Sequence, residues 1–135
     1  MHKLSIILPL SLPLAAQSLS LSCPNPSSFN QSAVCQIVVT TPAATSIVGA
    51  QWTLTSTPKV TLTVTTPIAS KSIGVGPTGV YVLSGVNKTA ISGVIANVTV
   101  PAHSGSVTLA LSGAVGTSAT AHAVPITPGV SVTVQ

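Results

Sequence analysis

Apolar and polar residues alternate along most of this chain. From Gly93 to Val100, the residues Val94, Ala96, Val98 and Val100 take every second place against Ile95, Asn97 and Thr99, a period of two that puts one apolar row on one face of a strand. Val80 to Ser84 precedes it as another strand, and Ser84 to Thr89 supplies the Gly and Asn of a polar chain reversal between the two, since Gly adopts positive φ freely and Asn tolerates it. The same alternation recurs in Leu19, Leu21 and Cys23, in Cys35, Ile37 and Val39, in Val48, Ala50, Trp52 and Leu54, and in Val60, Leu62 and Val64. It returns in Val107, Leu109 and Leu111 and in Val130, Val132 and Val134. Trp52, Leu54, Val94, Val98, Leu109 and Val132 are the expected inward residues.

Two stretches leave their state open. Ser70 to Thr78, with Gly74, Gly76 and Pro77, reads either as a short edge strand or as a loop, because Pro lacks the donor that a central strand needs. Gly113 to Thr127 is small and polar, with room for one irregular strand around Ala121 to Ile126. No stretch after the N-terminus has an amphipathic helical period. Eight or nine short strands separated by turns predict an all-β, antiparallel sandwich. At 135 residues, the chain has the length of one domain with a real core.

Residues 1 to 18 break the pattern. His2 and Lys3 precede an apolar run from Leu4 to Leu14, and Ala16-Gln17-Ser18 follows with small residues, the order of a secretory signal peptide cut after Ala16 or Ser18. The expected domain is then 19–135, secreted to the extracellular space or the cell surface. Beyond the leader, Ser and Thr interrupt every apolar run well short of the roughly 20 residues of a spanning helix, so no membrane span is expected in the mature chain. Acylation of Cys23 is the second reading of this region, although Ser20 stands where a lipid-attachment motif has a bulky aliphatic residue.

Composition narrows the chemistry. The chain has no Asp or Glu and only four cationic side chains, Lys3, Lys59, Lys71 and Lys88. Single, scattered lysines do not make a nucleic-acid surface, which clusters Lys and Arg on one face. Without carboxylates there is no paired-acid glycosidase site and no acid for a Ser/His/acid triad, and no hard-oxygen set suited to calcium. His103 and His122 lie in loop-like stretches with no third ligand, which leaves a catalytic metal site incomplete. The expectation is a non-enzyme without cofactor or metal. In an exported chain with two cysteines, a Cys23–Cys35 disulfide is favoured over metal binding.

Sugar sites need exposed rings, and Phe29, Trp52 and Tyr81 are the aromatic residues of the chain. Trp52 shares parity with its apolar row, which favours the core. Tyr81 is opposite in parity to Val80 and Val82, which would turn it to the outer face as a ligand-contacting ring; plain packing competes with that role. Asn30, Asn87 and Asn97 begin N-x-Ser/Thr sequons, acceptors only in a compatible secretory route.

Several of these strands, in order, resemble a known family. Gly49-Ala50-Gln51-Trp52-Thr53-Leu54, Val82-Leu83-Ser84-Gly85, Gly93 to Val100 and the terminal Gly129 to Val134 are similar to the strands of cohesin-type domains, over essentially the whole mature chain. The resemblance implies a jelly-roll sandwich related to carbohydrate-binding modules, and a bacterial protein that binds a protein partner outside the cell. Cohesins bind dockerin modules of polysaccharide-degrading enzymes. Here Ser56-Thr57-Pro58 replaces the family's frequent Tyr-Asp-Pro, and no carboxylate is present to read a dockerin's polar surface, which argues against a dockerin-type partner. Three roles follow: extracellular protein assembly or adhesion linked to polysaccharide degradation, polysaccharide binding, and self-association as a subunit of a surface layer or appendage.

Overall fold

The computed structural model describes residues 17–23, 31–41, 46–76 and 78–135. Residues 1–16, Phe29 and Asn30 therefore lie outside the described residues. Ten strands and no helix are found among those described: β1 (Gln17–Ser22), β2 (Ala33–Thr40), β3 (Gly49–Thr57), β4 (Thr63–Thr65), β5 (Ser72–Val75), β6 (Val80–Ser84), β7 (Gly93–Val100), β8 (Val107–Thr117), β9 (Ala123–Pro128) and β10 (Val132–Val134). The first stretch left open by the pattern holds β5; in the second, Gly113 to Thr117 continue β8, which corrects their loop-like reading, residues 118–122 turn, and β9 follows. No helix among the described residues is long and apolar enough to cross a membrane.

The strands follow one path, β4-β7-β2-β1-β9-β8-β3-β6-β5, with β10 added beside β8. Two layers arise because β9 is shared. Its first half pairs Val115 to Thr117 of β8, and its second half, Ile126 to Pro128, pairs Gln17 to Leu19 of β1. Every pairing is antiparallel except β1 with β9, which is parallel, so the wholly antiparallel expectation is corrected at that one seam. Leu19, Cys35, Ile37, Val98 and Val100 from one layer meet Trp52, Leu54, Leu83, Val107 and Leu109 from the other in a single buried core. Apart from Leu83, these belong to the rows that the alternation marks, and burying a Val, Leu or Ile side chain stabilises by about 1.5–3 kcal/mol.

The chain departs from simple alternation at two bulges. In β7 the register to β2 passes from Ile37↔Ala96 to Val38↔Val94, which skips Ile95. An inserted residue resets which side chains face inward, so Ile95 and Ala96 are both buried and Val94 is only half-buried. In β8 the register to β3 slips opposite Trp52, where Gly113 takes φ 57, a left-handed conformation that favours Gly. At the C-terminus Val134 is buried, whereas Val132 is half-buried and packs against the core rather than within it.

The Val80 to Val100 stretch is not a hairpin. β6 pairs β3 and β5, and β7 pairs β2 and β4. The Gly and Asn between them turn the chain from one layer into the other. Gly85 is needed there for space: a Cβ would stand 2.5 Å from the Ser70 carbonyl oxygen and 2.9 Å from Lys71 Cδ.

Candidate functional site

Inward rows determine what points outward. On β3 the buried Ala50, Trp52 and Leu54 leave Gln51, Thr53 and Thr55 facing solvent, and on β8 the buried Val107, Leu109 and Leu111 leave Thr108, Ala110 and Ser112. Cross-strand register aligns them into ranks: Thr133, Thr108 and Thr57; Ala110 and Thr55; Ser112, Thr53 and Val80; Gln51, Val82 and Gly74; Ser84 and Ser72. Thr108 and Thr133 join their hydroxyls at 3.1 Å. Strands about 4.8 Å apart thus carry a sheet face of hydroxyl and methyl groups, and no residue in these ranks is ionisable. Val82, 39% exposed, adds bare apolar surface at its β6–β5 end, whereas Val75, 67% exposed, pairs Tyr81 and belongs to the other side of β5. The opposite layer's outer face is also uncharged and carries Val34, 51% exposed.

Beside the Thr57 end of that face lies a cleft of about 470 Å³, walled by Leu54, Tyr81, Val60 and Leu62, with Ser56 and Lys59 at its polar side. Ser56 Oγ accepts the Val60 N–H at 3.0 Å and holds the arm that forms one wall.

Tyr81 faces inward. It pairs Trp52 in register, its ring stacks on the indole at a centroid distance of 6.3 Å and an interplanar angle of 20°, and it is 8% exposed. The outward parity expected for it is therefore corrected: Tyr81 and Leu83, not Val80 and Val82, form the inner row of β6. Four consecutive apolar residues, Val80 to Leu83, carry no parity signal of their own. Trp52 is 0% exposed, and its Nε1 is buried without a hydrogen-bond partner. No described residue offers an exposed aromatic plane to a sugar.

Cys23 and Cys35 form a disulfide with Cα atoms 4.2 Å apart. Cys23 follows directly on the register Ser22↔Gln36, which sets the two cysteines opposite each other. The bonded sulfur of Cys23 has no thiol for acylation. His103 and His122 are in separate loops. His103 Nδ1 is 2.8 Å from the Pro101 carbonyl, and His122 Nδ1 is 2.9 Å from Thr120 Oγ1. No group of three or more His, Cys, Asp or Glu that could hold a metal occurs among the described residues.

Lys71 carries no signal in the pattern. It is buried beside β5 and donates from Nζ to the Asn87 carbonyl at 3.1 Å.

No protein-family model matches this sequence, and no curated protein matches it. Among solved structures, the fold superposes on the cohesin module of a Clostridium perfringens family 33 glycoside hydrolase with a TM-score of 0.72, at 13% identity, covering 89% of this chain and 96% of that one. The chain has the cohesin-type fold. A non-cellulosomal cohesin from the hyperthermophilic archaeon Archaeoglobus fulgidus superposes with a TM-score of 0.65, at 12% identity, covering 89% and 90%. At these identities it is the cohesin fold that is shared, while the residues on its surfaces are this chain's own.

Proposed function

We propose that this chain is a secreted, non-catalytic cohesin-like module that joins proteins into extracellular assemblies, and that it docks its partner on the outer face of β8, β3, β6 and β5. The observation that carries this reading is a cohesin-type fold whose layer presents ranked Thr, Ser and Val side chains with no charge and with Val82 uncovered. Export is supported by the leader pattern and by the Cys23–Cys35 bridge, since disulfides persist in oxidising compartments. One neighbour is part of a glycoside hydrolase, and a link between this module and glycan-degrading enzymes follows by analogy. The other is a non-cellulosomal cohesin, in keeping with a partner outside the cellulosome.

Recognition on such a face rests on shape, methyl contacts and hydroxyl hydrogen bonds. Its affinity is therefore insensitive to salt, because there is almost no surface charge to screen. The test is capture of secreted proteins from the producing organism on immobilised chain in low and high salt, followed by titration of the captured partner against a Thr53→Lys/Val82→Lys variant. The expected result is retention in high salt and loss of binding in the variant, with its melting temperature unchanged. Full affinity in that variant would place the partner elsewhere and remove this reading of the face. Recovery of polysaccharide instead of protein would favour a sugar-binding role.

A further inference from the structure

β1 starts inside the fold. Gln17, its first residue, lies opposite Ile126 of β9 and shares the inward row with Leu19 and Leu21. It is 2% exposed, and both polar atoms of its carboxamide, Oε1 and Nε2, are buried without a hydrogen-bond partner. A carboxamide brings two donor hydrogens and an acceptor oxygen into the interior, and native folds rarely leave such groups unsatisfied. Immediately before it stand Ala15 and Ala16, the small residues that close the apolar leader. A cut after Ala16 leaves β1 whole. A cut after Ser18 would remove two of its residues, including Ser18, which is paired on one side with Thr40 and on the other with Thr127.

A chain that begins at Gln17 carries an α-ammonium on this buried residue, at the first position of β1. The chain has no Asp or Glu, so no side-chain carboxylate can pair with the cation, and an unpaired buried charge opposes folding strongly. Gln is the residue whose own side chain can abolish that charge. We propose that Gln17 is a modification site and that the mature chain begins with the pyroglutamyl lactam formed from it. The α-amino nitrogen attacks Cδ of the carboxamide and closes a five-membered ring with a new C–N bond. The Cδ–Nε2 bond breaks, and Nε2 departs as ammonia with the proton shed by the amine. No oxidant or reductant takes part. The product keeps one carbonyl and one N–H, loses the two amide hydrogens, and is neutral. Ring closure precedes docking of β1, since a group 2% exposed is out of reach of a catalyst once the sheet has formed.

This inference rests on the leader reading and is independent of the cohesin-like role. The full-length precursor is exported by its producing organism, and the product is examined by intact mass and N-terminal sequencing. The expected product spans Gln17 to Gln135 with its disulfide, is lighter by one ammonia, and resists stepwise sequencing until pyroglutamyl aminopeptidase treatment of the unfolded chain exposes Ser18. A product that starts at Leu19, that retains the leader, or that starts at Gln17 with a free amine overturns the inference. A second measurement compares two forms of the chain starting at Gln17, one kept as the amine and one cyclised by glutaminyl cyclase while unfolded. The lactam form should melt several degrees higher, and equal melting temperatures would refute the burial argument.

Discussion

The Cys23–Cys35 bridge permits a quantitative test of how this small, nearly uncharged domain is held. The cysteines are separated by 12 positions, and closing a loop of that length removes about 9.5 cal/mol/K of unfolded-chain entropy, or about 3 kcal/mol at 25 °C. Replacing both residues by Ala also deletes the buried sulfur of Cys35, which adds about 1 kcal/mol. With an unfolding entropy of about 2.1 cal/mol/K per residue over roughly 120 folded residues, each kcal/mol is worth about 4 °C. The double variant should therefore melt about 12–16 °C below the native chain. The assay is urea unfolding with thermal melting of the native, double-variant and Cys23→Ala proteins. Because the bridge acts mainly on the unfolded state, the double variant should also show a steeper urea dependence, its denatured chain being more expanded. An unchanged midpoint would show that the bridge adds nothing. A lowered midpoint with unchanged slope would move the effect into native packing and refute the entropic account.

Three further outcomes follow from particular contacts. Trp52 should emit at short wavelength and resist iodide quenching, and Trp52→Ala should cost about 3–5 kcal/mol in chemical unfolding, given its full burial against Tyr81. Gly85→Ala should lose about 1–3 kcal/mol through overpacking, because its Cβ would meet the Ser70 carbonyl, whereas Gly74→Ala, with nothing within 4 Å of the added methyl, should stay within about 0.5 kcal/mol of the native chain. Lys71→Met should keep or gain stability, measured by the same unfolding curves, because it preserves the buried stem while removing an amine whose partner is a single carbonyl.

Much of this architecture is legible in the residues, and the points where it is not have physical causes. Rows such as Cys35 and Ile37, or Trp52 and Leu54, report their inward faces because a polar neighbour separates them. Val80 to Leu83 gives no such contrast, and parity alone puts Tyr81 on the wrong side for that reason. At Ile95 the bulge inserts one residue, which period-two reasoning cannot foresee without the partner strand, and Val94 loses its core place. Gly85 and Asn87 announce a reversal, but turn chemistry does not say which layer the chain enters next. The uncharged face could be inferred once the inward rows were known. The cleft could not, since it depends on how the 58–62 arm settles over Tyr81.

The parallel seam between β1 and β9 has a consequence for how the domain comes into being. Synthesis proceeds from the N-terminus, so β1 and β2 can meet as a hairpin early, while the strand that closes the seam arrives over 100 residues later in the sequence. Until Ile126 to Pro128 emerge, the far edge of β1 is an unsealed margin of backbone donors and acceptors, open to strangers. Shortening the chain before that point would strand every copy in this half-zipped condition, with clumping rather than partial activity as the outcome.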